Sequence, residues 1–81
     1  MEYRRLGKTE LSVSLLGLGT WQLGNVWGKT FTQAEVDRLF GLAADYGINF
    51  VDTAECYGEN HQSECFVGQA IKGQREKWII A

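Results

Sequence analysis

The stretch from Asn49 to Gly58 reads NFVDTAECYG and holds the residue types best suited to proton chemistry in this chain. Asp52 ends an apolar run, and Tyr57 follows five residues later. A free phenol has a pKa near ~10, too high for easy proton exchange at neutral pH. A cation beside it stabilises the phenolate and brings that pKa down. A carboxylate can hold such a cation in place when a lysine arrives from a neighbouring strand. Asp52 is then the anchor, the lysine the tuner and Tyr57 the general acid. A buried Asp52 would in any case need a partner, because an unpaired charge out of water is costly. Spacing alone supports equally well an Asp52 that caps a turn and a half-buried Tyr57 that packs a loop. A third reading pairs Asp52 with Glu55 as two catalytic carboxylates, but no other residue supports metal or sugar chemistry.

Two glycine motifs are weaker. GLGTWQLG supplies the first G-x-G of a dinucleotide loop through Gly17 and Gly19, yet Gln22 stands where the third glycine belongs. GNVWGKT ends like a phosphate loop at Gly28, Lys29 and Thr30. Only three residues separate Gly24 from Gly28, where such a loop needs four. The shorter loop cannot turn its amides around a phosphate in the same way.

These residues depend on the elements around them. Tyr3 to Ser14 alternates around LGKTEL and predicts a β-hairpin over residues 3–14. LLGLG, Leu15 to Gly19, reads as a strand buried on both faces. A loop rich in glycine and tryptophan follows. Thr32 and Glu35 then form a T-x-x-E capping box, and Val36, Leu39, Phe40 and Ala43 give that helix an apolar stripe. Gly47 suits a left-handed C-terminal cap. INFV is a second buried strand. Ser63 and Glu64 open a second helix, with Phe66, Val67, Ala70 and Ile71 on its apolar side and Gly73 closing it. KWIIA begins a third strand. The order is hairpin then β-α-β-α-β, which predicts an α/β fold with a parallel sheet and right-handed crossovers. Since the last apolar strand needs cover that three strands and two helices do not supply, residues 1–81 read as a fragment of a larger domain.

Composition narrows the function. The chain has 81 residues, 44% hydrophobic and 22% charged, which is ordinary for a globular protein. A net charge of −2 without a basic run argues against nucleic acid. No apolar run approaches the ~20 residues of a membrane span. The start, MEYRRLGKTE, has no apolar signal core, so a cytoplasmic location is expected. Cys56 and Cys65 fit neither a metal knuckle nor a C-x-x-C redox pair and are expected to be free thiols.

YRRLGKTELSVSLLGLGTW, GINFVDTAECYG, Ser63-Glu64 with VGQAIK, and WIIA together resemble the aldo-keto reductase family, over about Tyr3 to Ala81. The resemblance implies the N-terminal portion of a TIM (β/α)₈ barrel, a fold of ~250 residues. It implies an enzyme that reduces aldehydes or ketones with NADPH, or runs the reaction backwards, with a small-molecule carbonyl as substrate and an oligomer as one option. Asp52 matches the family's active-site aspartate and Tyr57 its proton-donating tyrosine. Gly19, Thr20 and Trp21 match the loop that lies against nicotinamide and substrate, with Asp52 beside them. The family's lysine follows the third strand, just past Ala81, and Lys72 and Lys77 lie on the wrong side of that strand. No basic side chain of residues 1–81 is therefore expected on the Asp52 carboxylate, and this length alone should neither bind NADPH well nor catalyse. His61 does not match the family's histidine and reads as a solvated loop or helix-start residue. The chain is also similar to the cytoplasmic β-subunits of voltage-gated potassium channels, which would make it regulatory. Gly58 after Tyr57 favours the enzyme.

Overall fold

The computed structural model describes residues 1–81. Its hairpin pairs β1 (Tyr3–Arg5) with β2 (Ser12–Ser14) in antiparallel register, Arg4 opposite Val13. Gly7 takes a φ of 57° in the connecting turn, where a side chain would be strained.

A three-stranded parallel sheet follows, in the order β3 (Leu18–Gly19), β4 (Phe50–Asp52), β5 (Ile79–Ile80). β3 falls short of the strand expected from Leu15. Leu15 and Leu16 lie in a bend, exposed by 56% and 61%, because the Ser14 hydroxyl donates to the Leu16 carbonyl at 2.6 Å and turns the chain. Leu18 pairs with Val51, and Gly19 with Asp52.

Helix α1 (Gln33–Asp45) begins with the expected capping box. Glu35 N–H donates to the Thr32 hydroxyl, and Thr32 N–H donates to the Glu35 carboxylate. Val36, Phe40 and Ala43 face the core, whereas Leu39 lies on the flank and is exposed. Gly47 closes the helix region with a φ of 84°, and the Tyr3 hydroxyl donates to its carbonyl at 2.6 Å.

Helix α2 (Gln62–Ala70) packs against α1, and the core lies between the two helices and the sheet. Val36 and Val51 are fully buried, each worth about 1.5–3 kcal/mol relative to exposure. Phe40 and Trp78 meet at a centroid separation of 5.2 Å, so the approach to β5 is anchored on α1. No helix is long and apolar enough to cross a membrane.

Candidate active site

The carboxyl ends of β3 and β4 lie side by side, and the segments leaving them carry the residues singled out above. The register that opposes Gly19 to Asp52 also places Thr20 beside the Asp52 backbone. Thr20 N–H and the Thr20 hydroxyl both donate to the Asp52 carbonyl, at 3.2 and 2.8 Å. Within residues 1–81 Asp52 is exposed. The side-chain ion pairs are Arg4–Glu2 and His61–Glu64, and neither involves Asp52.

Thr20 is 1% exposed, with its hydroxyl turned into the protein. Trp21 opens a 3₁₀ turn (Trp21–Gly24), and a second one (Val26–Gly28) follows. Trp27 stands on Trp21 edge to face, with centroids 4.9 Å apart and planes at 89°. Trp27 is 80% exposed and holds a left-handed φ of 57°, as Asn25 does at 62°. Such backbone is sparsely populated by residues with side chains and is typical of segments shaped for a role. A Cβ on Gly19 would meet nothing within 4 Å, and its register partner across the sheet is Asp52.

Tyr57 lies half-buried in the loop after β4. Its N–H donates to the Ala54 carbonyl at 3.2 Å, and its carbonyl accepts from Ser63 N–H at 3.1 Å. A Cβ built on Gly24 would lie 2.6 Å from both the Tyr57 carbonyl carbon and the Gly58 nitrogen. Gly24 was visible in the sequence as part of an imperfect phosphate loop, but its requirement is steric. The Lys29 ammonium of that motif lies 5.1 Å from the Phe31 ring centroid, and α1 starts only at Gln33.

Ser63 corrects the sequence expectation. It is not the cap of α2: His61 holds that position, in a left-handed conformation and without a side-chain cap bond. His61 is exposed and approaches Glu64 at 3.1 Å, in keeping with a solvated helix start. Ser63 is instead fully buried, its hydroxyl 2.9 Å from the Thr20 hydroxyl, 3.1 Å from the Thr20 carbonyl and 3.0 Å from the Thr53 hydroxyl. The available signal was its phase. Ser63 shares a helical face with Val67 and Ile71, and a hydroxyl on an apolar face must find internal partners. Cys56 and Cys65 are exposed free thiols.

Known proteins match this arrangement. The model of the Aldo/keto reductase family matches residues 15–81. The chain is 42% identical to aldo-keto reductase YhdN of Bacillus subtilis over 84 aligned residues, covering 100% of this chain and 25% of that protein. It is 40% identical to the chloroplastic pyridoxal reductase of Arabidopsis thaliana, over 88% of this chain and 23% of that one. Among solved structures, an aldo-keto reductase from Pseudomonas aeruginosa superposes with a TM-score of 0.84 at 45% identity, over 96% of this chain and 29% of that one. The thermostable aldo-keto reductase Tm1743, solved with the inhibitor epalrestat, gives 0.78 at 38% identity, over 99% and 30%. The chain thus spans about a quarter of the length of these curated relatives. Its hairpin and strand–helix units are those of a (β/α)₈ barrel, and the chain belongs to the aldo/keto reductase family.

Proposed function

We propose that the protein containing this chain is an NADPH-dependent oxidoreductase that reduces aldehydes or ketones to alcohols, with Tyr57 as proton donor and Asp52 as anchor for a lysine from outside residues 1–81. The observation that carries this reading is the joining of the Asp52 and Tyr57 backbones at one end of the sheet, through Thr20 and Ser63. In parallel α/β proteins this end of the strands carries the chemistry. Similarity to a pyridoxal reductase adds an aldehyde to the substrates worth trying.

The residues present fit a nicotinamide. Gly19 leaves open space at the strand end opposite Asp52, which is exposed, and Trp21, two residues on, is exposed as well. Gly19, Trp21 and Asp52 would hold that end of the cofactor. Thr20 would support it from beneath, since its own side chain is buried. When bound, NADPH supplies a hydride for the carbonyl carbon. Tyr57 delivers its proton to the carbonyl oxygen, and a phenol with a cation at hand does this near neutral pH. Trp21 and Trp27, packed edge to face, would offer the substrate an apolar surface.

The test is NADPH oxidation at full length across a panel of aldehydes and ketones that includes pyridoxal. Turnover is expected for at least one carbonyl, and Tyr57→Phe should lower kcat by ~10²–10⁴-fold, the usual worth of a positioned acid. Wild-type activity retained in Tyr57→Phe removes Tyr57 from the chemistry.

A further inference from the structure

We infer that Ser63, Thr53 and Gly24 are positioning residues that hold the Tyr57 backbone in register with Asp52, an inference that rests on the carbonyl-reductase reading above. The path can be followed bond by bond. Thr20 gives its hydroxyl proton to the Asp52 carbonyl at 2.8 Å, so at the 2.9 Å contact Ser63 must be the donor to Thr20. Ser63 has then used its proton, so at 3.0 Å Thr53 must be the donor to Ser63. The order is Thr53 to Ser63 to Thr20 to Asp52, all in one direction, and each hydroxyl polarises the next. From Ser63 the path continues through its N–H to the Tyr57 carbonyl at 3.1 Å.

Gly24 supplies the second constraint. The Trp21–Gly24 turn leaves no room for a methyl group against the Tyr57–Gly58 peptide. Gly58 has a φ of 86°, and a Cβ there would lie 2.8 Å from the Gly24 Cα and 2.9 Å from the Gln62 Cβ. Backbone therefore meets backbone on one side of the peptide, while the start of α2 holds it on the other.

The helix itself does not need this serine. Alanine has the higher helix propensity and would bury no polar group at a site with 0% exposure. What the hydroxyl adds is a link between the segments after β3 and β4 and the residue bonded to Tyr57. Loops are ordinarily the mobile parts of a fold, and a donor misplaced by ~1 Å can lose ~10²-fold in rate.

The experiment compares Ser63→Ala, Thr53→Val and Thr53→Ser with wild type in the full-length protein. Two readouts are needed, and the first is independent of turnover: amide hydrogen exchange at Ser63, whose N–H is bonded to Tyr57. Exchange is expected to quicken ~10-fold in Ser63→Ala while α1 amides keep their wild-type rates, a local loss of protection. In steady-state kinetics kcat should fall ~10–10²-fold in Ser63→Ala and less in Thr53→Val, with the carbonyl KM within ~3-fold. Thr53→Ser keeps the hydroxyl and should restore kcat relative to Thr53→Val. Unchanged Ser63 exchange overturns the inference, as does quickened exchange in α1 and at Ser63 alike, which marks a general structural role. Unchanged kcat in an active protein overturns it too. A wild type that turns over no carbonyl instead overturns the function reading, and the exchange arm still decides whether the backbones are coupled.

Discussion

Asn49 immediately precedes β4 and Asp52 ends it, three residues on, and they are used in opposite ways. The Asn49 side chain is committed to structure. Its Oδ1 accepts from Ser14 N–H at 2.7 Å, its Nδ2 donates to the Ser12 carbonyl at 2.9 Å, and its own N–H donates to the Ser14 hydroxyl at 3.1 Å. These bonds fasten the hairpin across the amino end of the sheet. At the carboxyl end, Asp52 contributes its backbone carbonyl to Thr20 and leaves its carboxylate exposed. One strand is thus flanked by an amide that holds the fold together and ends in a carboxylate that makes no such bond. Isosteric side chains serve either purpose according to which end of the strand they occupy.

Exchanging the two groups sharpens the contrast. Asp52→Asn should lower kcat/KM by ~10²-fold or more in the full-length protein by removing the charge proposed to anchor a lysine. Its thermal stability should fall less than in the reverse exchange, because Asp52 joins the fold through its backbone carbonyl. A stability loss as large as that of the reverse exchange would erase the distinction. Asn49→Asp should do the opposite, destabilising by about 1–3 kcal/mol, because a carboxylate oxygen would replace the amide donor facing the Ser12 carbonyl. Denaturant midpoints and kcat per folded molecule separate the two outcomes, and a large kcat loss in folded Asn49→Asp would break the comparison.

Smaller effects belong to the α1 cap, which serves structure as Asn49 does but on the surface. Thr32→Ala should cost about 1 kcal/mol, measurable in the unfolding midpoint. The Glu35 carboxyl is held below its ordinary value, chiefly by the Thr32 N–H and further by the Thr32 hydroxyl, Lys29 and Arg38, with desolvation opposing. Between its native and ordinary pKa values the unfolded chain therefore binds more protons than the native one. The resulting stabilisation is present above the ordinary value and is lost as pH falls through the native one. Melting curves of Glu35→Gln and wild type should converge as pH falls below the ordinary carboxyl value and through the lowered one. Curves that stay parallel would show that the cap bond does not couple to protonation.

Much of the fold could be read from local pattern because local physics decides it. The T-x-x-E cap, the stripe of Val36, Phe40 and Ala43, the left-handed Gly47 and the parallel order of the strands all follow from spacing and side-chain type. Leu15 and Leu16 misled, because an apolar run reads as a buried strand unless the bend made by Ser14 is known. Ser63 also misled. A serine near a helix start is most simply a cap, and only the approach of Thr20 and Thr53, distant in sequence, turns it into a buried link.

By itself the sequence determined the hairpin, the βα order, the family resemblance and the choice of Asp52 and Tyr57, all of which depend on residue type at short range. The tertiary structure alone decided that Thr20 faces inward and that Gly24 is required by the Tyr57–Gly58 peptide rather than by a phosphate. The physical reason is distance along the chain. Burial and close approach depend on segments 30 to 45 residues apart coming together, as Thr20 does with Asp52 and Ser63, and no local pattern encodes that meeting.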